Sequence, residues 1–390
     1  MSERVYLDCN ATTPLRREAR EAMAAAWECC GNPSSVHAEG RAARRLVEDA
    51  RAVIGAAVGA DARDVIFTSG GTEANALALT PRLRRGRGPA AERLLVSAIE
   101  HASVLTGGRY APDQIEILGV GRSGLVDLDG LRERLAAGPP ALLSVMLANN
   151  ETGAIQPVAA CADLVHAAGG LLHVDAIQGF GKIHFNINEL NADLVSVSAH
   201  KLGGPKGAGA LVLGAGVSAP EPLLRGGGQE QGRRAGTENV AAISGFAAAA
   251  KAAIAALAAE GSRVVKLRDR LEAGLRQTPG LQIFSEAAPR LPNTTLFSAP
   301  GLNAETAVIG FDLAGIAVSS GSACSSGKVQ PSHVLAAMGW GAELARGAVR
   351  LSLGWSTCEE DVDRAVKAWR KLAGTLLKHR HGDETVLERF

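Results

Sequence analysis

The sequence predicts an α/β protein, with a mostly parallel sheet in a large domain and a smaller α+β domain. Three observations carry that prediction. Short, near-continuous apolar runs alternate with alanine-rich helical patterns over roughly the first 275 residues. Strands buried on both faces read as unbroken apolar runs, and strands separated by helices run parallel. After about residue 277 the pattern changes to strands among fewer helices. Glycine is also frequent, 46 of 390 residues against a typical ~7% and with no three-residue period, so many close backbone approaches are implied.

The apolar runs are, in order, Asp64–Thr68, Arg93–Ser97, Ala141–Met146, Gly170–Asp175, Asp193–Ser198 and Ala210–Leu213. Ala241–Ala259 is nearly long enough to span a bilayer, but it is mostly alanine and contains Lys251, which predicts a packed helix. The helical tract ends near Gln277, and Leu281–Phe284, Asn293–Phe297 and Ala348–Leu353 read as strands of the second unit. Length alone suggests two to three compact units of about 100 to 200 residues. The expected partition is a large domain over residues 14–255 and a smaller one made of residues 1–13 plus 256–390.

Hydrophobic residues make up 46% and charged residues 21%, which excludes a disordered or collagen-like chain. The 41 Lys and Arg nearly balance 40 Asp and Glu, so no field for a polyanion exists and nucleic acid is not an expected partner. Residues Met1–Asp8 carry charges where a secretory signal needs an apolar run. A cytoplasmic protein without membrane association is expected. The six cysteines show no C-x-x-C pair and no Cys/His ligand spacing, so neither a metal site nor a disulfide framework is predicted. Cys324 stands apart from the others because it lies in a glycine- and serine-rich stretch.

In open α/β sheets ligands bind beyond the carboxyl ends of the strands. Three predicted strand ends carry a coherent polar set. The first runs from Val65 through Gly70, Gly71 and Thr72 to Asn75: a strand, a glycine turn, then a helix start, whose N–H groups and dipole suit a phosphate. The second ends in Asp175, followed by Gln178. The third ends in Ser198, Ala199, His200 and Lys201, where a lysine can form an imine with a carbonyl cofactor. Singly, each has an ordinary reading: a turn with an N-cap, a solvated turn carboxylate, a surface lysine. Together they supply the imine-forming amine, the acidic partner for a pyridine nitrogen and the phosphate donors that pyridoxal 5'-phosphate requires. Asp175 and Lys201 are 26 positions apart, a separation that fits successive strands joined by one short crossover.

With these motifs the sequence resembles the cysteine desulfurases, within the class V aminotransferase-like, fold-type I pyridoxal-phosphate enzymes. The likeness covers nearly the whole chain, from Tyr6–Pro14 to Arg350–Gly354. Between them lie Gly31–Ser35 with His37, Glu100 with His101, Asn149–Gly153, Asp175 with Gln178, Ser198–Lys201, Arg234–Asn239 and Ser319–Gly327. The long serine-rich stretch around Cys324 resembles the subgroup containing the general iron–sulfur and nitrogenase-associated enzymes. Cys9 stands where relatives often carry asparagine, and Ala199 where many carry glycine.

The resemblance implies a role for each matching residue. Lys201 would carry the cofactor and move the Cα proton, Asp175 would pair with its ring nitrogen, Gln178 with its phenolic oxygen, and His101 would stack on the ring and transfer protons. Gly71, Thr72, Ser198 and His200 would bind the phosphate, and Thr237 would reach the phosphate of a partner subunit in a homodimer with shared sites. From its residues alone, Thr237 reads equally as a cap of the following helix. Arg350 would grip the substrate carboxylate, assisted by Asn150, which also meets the cofactor, and by Asn32. Cys324 would take the sulfur of L-cysteine as a persulfide, leaving L-alanine, for delivery to an iron–sulfur scaffold or another acceptor protein. A selenocysteine lyase or transaminase on the same fold, and a non-catalytic scaffold, are the competing readings. An essential Cys324 and an imine absorption band separate them.

Overall fold

The computed structural model describes residues 4–321 and 331–377. Among the described residues, thirteen strands occur in chain order: β1 (Val5–Tyr6), β2 (Val65–Thr68), β3 (Arg93–Ser97), β4 (Ile115–Leu118), β5 (Ala141–Met146), β6 (Leu171–Asp175), β7 (Leu194–Ser198), β8 (Gly209–Leu213), β9 (Gln282–Ile283), β10 (Thr294–Ser298), β11 (Ile316–Ala317), β12 (Ser319–Ser320) and β13 (Val349–Ser352). The large sheet has the order β2-β8-β7-β6-β5-β3-β4. Only β8 runs against its neighbours. The remaining six therefore share one direction, and their carboxyl ends meet along one edge.

All six predicted runs of the large sheet form strands within a residue of the expected ends. They read clearly because every residue of β2, β3, β5, β6, β7 and β8 is buried, so no polar alternation interrupts them. β4 is not among the predicted runs. It is an edge strand with Glu116 half-buried and Ile117 exposed, and its pattern is weak for that reason.

A second sheet, β12-β13-β10-β9, is antiparallel, and β1 pairs in parallel with β11 beside it. Helix Val240–Leu275 connects the two regions and runs without interruption through residue 256. Asn239 caps its start, accepting from the Ala242 N–H at 3.0 Å, so the cap is Asn239 and not Thr237. On this helix the core around the large sheet ends at Ala253, and the core around the second sheet begins at Val264. Its first half packs on helices Arg17–Trp27 and Ala38–Val58, burying Phe246, Ala249 and Ala250. It is long and apolar enough to cross a membrane, but half of its most apolar window is buried in the fold, as for a core helix. In the second core Trp369 is fully buried, with its ring edge-on to Phe297 at 4.8 Å between centroids.

Candidate active site

A cavity of about 330 Å³ opens at the carboxyl edge of the large sheet. Five of its strands feed it: Gly71 and Thr72 follow β2, His101 follows β3, Asn150 follows β5, Asp175 ends β6, and Ser198, His200 and Lys201 follow β7. Residues Asn10 and Ala11 and the β13 residue Arg350 close it from the other side. The lining thus joins Gly71, Thr72, His101, Asn150, Asp175, Gln178, Ser198, His200, Lys201 and Arg350, ten of the sequence-predicted residues.

Asp175 is buried and accepts hydrogen bonds on both oxygens, from the Ile177 N–H at 3.0 Å and from Asn75 Nδ2 at 2.8 Å. Burial pushes its carboxyl up, against those bonds and the charges of His101 and Lys201. A positively charged group in the cavity would reverse that balance. Asn75 also donates to Ser103 Oγ at 2.9 Å, and that hydroxyl lies 2.8 Å from His101 Nδ1, which accepts from the Ser103 N–H at 3.2 Å. The chain Asp175–Asn75–Ser103–His101 fixes the ring of His101, and burial pushes its pKa down. That favours the neutral imidazole.

Lys201 Nζ donates to the carbonyls of Asn10 at 2.6 Å and Ala11 at 2.8 Å. The same Asn10 carbonyl accepts from Gln178 Nε2 at 2.9 Å. Arg350 is 2% exposed and donates through Nη2 to Asp8 at 2.8 Å and through Nη1 to the Asn150 carbonyl at 3.1 Å. Its buried Nε has no partner among the described residues. Burial and the charges of Lys201, Lys206 and Lys182 drive His200 down to about 4.

These residues fit pyridoxal phosphate. The Ser198 hydroxyl is buried in the cavity wall with no partner among the described residues, an orphaned donor of the kind a phosphate oxygen would satisfy. Beside it Gly71 opens helix Gly71–Ala78, where a Cβ would stand 2.1 Å from Ile177 Cδ1, so a larger residue would force the Ile177 side chain to move. Asp175 and Lys201 supply the acid and the amine in the same cavity.

Two predicted residues are elsewhere, and a third cannot be placed against the cavity. Asn32 is exposed and accepts from the Ser34 N–H at 2.8 Å in a turn. Thr237 is exposed and does not line the cavity. Cys324 lies outside the described residues. The loop that carries Thr237 is anchored to the helix start at Gly71 by Arg234, which donates to Glu73 at 2.9 Å. Burial opposes ionisation of Glu73, but Arg234 and the Ser69 N–H hold it below its ordinary value.

Asn75, Ser103 and Asn10 were not singled out from the sequence. Asn75 and Asn10 fall inside motifs quoted above, but nothing in their spacing shows that one would hold Asp175 and the other Lys201. Only their hydrogen bonds reveal it.

The profile of the family "Aminotransferase class-V" matches residues 5–365. A cysteine desulfurase of Cereibacter sphaeroides is 42% identical over 94% of this chain and 94% of its own. The cysteine desulfurase IscS of Dictyoglomus turgidum is 40% identical over 93% of each chain. Among solved structures, the NifS-like protein of Rickettsia africae superposes with a TM-score of 0.87 at 36% identity, covering 96% of this chain and all of that one. With a cavity that fits the cofactor and full-length likeness to these proteins, the chain belongs to the class V aminotransferase family and, within it, to the cysteine desulfurases.

Proposed function

We propose that this chain is a pyridoxal-phosphate-dependent cysteine desulfurase, taking sulfur from L-cysteine to leave L-alanine and a persulfide on Cys324. The observation that carries this reading is the buried carboxylate of Asp175 in one cavity with the Lys201 amine and the orphaned Ser198 hydroxyl. Bound there, pyridoxal phosphate supplies a carbonyl that takes up the amino group of cysteine and a ring that accepts electrons from its Cα.

The chain's own residues divide the remaining work. Gly71, Thr72, Ser198 and His200 would hold the phosphate, Asp175 would pair with the ring nitrogen and Gln178 with the phenolic oxygen. His101 would stack on the ring and pass protons. Lys201 removes the proton from the substrate Cα and later returns one. Arg350 pairs with the substrate carboxylate, fixing orientation as well as charge, with Asn150 and Asn32 completing that end. The Cys324 thiolate attacks the substrate sulfur; the electron pair of the broken C–S bond stays on Cβ, which takes a proton to become alanine. Sulfur then leaves to an iron–sulfur scaffold or another acceptor protein.

The exposure of Thr237, away from the cavity of its own chain, supports a homodimer in which Thr237 of each copy completes the phosphate site of the other. The division at residues 14–255 against 1–13 plus 256–390 is supported by the change of core along the helix Val240–Leu275.

Mixing the protein with pyridoxal phosphate, L-cysteine and a thiol reductant is expected to release alanine and sulfide in equal amounts. Cys324→Ala should abolish sulfide release while leaving the cofactor's visible band intact. Full sulfide output from that variant would overturn the persulfide step.

A further inference from the structure

Behind the cavity stands a lysine to which the reading above gives no task. Lys182 Nζ donates to Gln178 Oε1 at 2.7 Å and to Asn10 Oδ1 at 2.9 Å. Among the described residues no carboxylate pairs with it. An ammonium drawn from water without a counter-ion is costly, and a second cation nearby raises the cost. Here the second cation is Lys201, which lines a small cavity of about 50 Å³ together with Lys182. Burial and the charge of Lys201 push Lys182 down to about 7. The other charged or titratable groups around it are Cys9, Arg350 and His200, with the Arg16–Glu260 ion pair at 2.7 Å lining the same small cavity.

The contacts of Lys182 fix two amides. An ammonium offers donors only, so an oxygen of each amide must face it. Gln178 therefore turns its Nε2 to the Asn10 carbonyl, keeping a second N–H for the cavity it lines. Asn10 turns its Nδ2 to the Asn150 carbonyl at 3.1 Å and to Thr294 Oγ1 at 2.8 Å. Its backbone carbonyl is left to accept from Lys201 at 2.6 Å. That amine thus sets which end of the Gln178 amide faces the cavity, and it shares Asn10 Oδ1 with Asn293 Nδ2, which donates to it at 3.0 Å.

We propose that Lys182 is a positioning residue for the cofactor-binding amine: it aims an N–H of Gln178 into the cavity and, in its ammonium form, places positive charge behind Lys201, so that the Lys201 nitrogen releases its proton more readily. A deprotonated nitrogen is what can join a carbonyl and accept a proton from substrate. An anionic oxygen on a bound ligand, met by Gln178, would offset the uncompensated charge of Lys182. The inference rests on the pyridoxal-phosphate reading.

The test is a pH titration of the visible absorption band of the pyridoxal-phosphate-loaded protein. Removing a neighbouring cation favours the protonated nitrogen, so Lys182→Gln should raise the band's midpoint by about one pH unit. Lys182→Arg, which keeps the charge, should stay near the native midpoint. Lys182→Met replaces Lys182→Gln should the latter not fold. A double-mutant cycle with Gln178→Ala should show coupled shifts. An unmoved midpoint in Lys182→Gln or Lys182→Met, or equal shifts in these and Lys182→Arg, overturns the proposal. Absence of any visible band in the native chain with pyridoxal phosphate overturns instead the cofactor reading beneath it.

Discussion

The two walls of the cavity are assembled in opposite ways. One is the carboxyl edge of the large sheet, where β2, β3, β5, β6 and β7 each deliver polar residues simply by ending. The other joins residues 8–11 to Arg350 in the middle of β13, held by the Arg350–Asp8 contact across 342 positions of sequence. On the first wall, register places the groups, since paired strands end at matched heights. On the second, individual side-chain and carbonyl contacts place them, as Asn10 does for Lys201 and Gln178. The first wall should therefore tolerate change except at the reacting groups themselves, whereas the second should respond to geometry as well as to charge.

Changes at the first wall test that contrast most severely. Lys201→Ala is expected to lower turnover by roughly 10²–10⁴-fold and to eliminate the imine band, read by stopped assays and absorbance. A residual band at the native wavelength would show that another amine carries the cofactor.

Next in size is a stability effect at the end of β2. Arg51 and Glu230 form a buried two-point ion pair at 2.6 and 2.7 Å, and Glu230 also accepts from the Phe67 N–H at 3.0 Å. Glu230→Ala leaves Arg51 buried and unpaired, so denaturant unfolding should show a loss of about 3–5 kcal/mol. A loss under about 1 kcal/mol, the order expected of an exposed pair, would mean that water reaches Arg51.

On the second wall, Arg350→Lys keeps the charge but not the planar fork. It should lower kcat/KM for cysteine by about ten- to a hundredfold, chiefly through KM. A lysine variant with native KM would show that charge alone is read there and would erase the difference between the walls.

The smallest effect concerns Glu100, buried beneath the site, which accepts from Ser97 Oγ at 2.6 Å and the Met146 N–H at 2.7 Å. Burial pushes its carboxyl from 4.5 up to about 8. The folded protein therefore keeps a proton that the unfolded chain gives up. The stabilisation is complete below about pH 4.5 and is lost as pH rises through about 8. Glu100→Gln, which cannot ionise, should flatten this part of the melting-temperature profile. An unchanged slope between those pH values would assign it to other groups, such as Glu151, which burial raises to about 7.

The same contrast separates what was legible in the sequence. The unbroken apolar strands determined the fold class, because burial on both faces leaves a strong local signature. Their polar terminators, Thr72, Asp175, Ser198 and Lys201, pointed to the cofactor, because in a parallel sheet the end of a strand is also a place in space. Motif likeness proposed Arg350 and Cys324, though no local pattern marks a strand arginine as a carboxylate ligand. Tertiary structure alone decided that Asn75 and Ser103 tie Asp175 to His101, that Asp8 holds Arg350, and that Lys182 faces Gln178 and Asn10. Apart from the local Ser103–His101 and Lys182–Gln178 pairs, these are contacts between side chains over tens to hundreds of positions. No periodicity or short spacing encodes the remote ones, since they exist only once two separately folded surfaces have closed on each other.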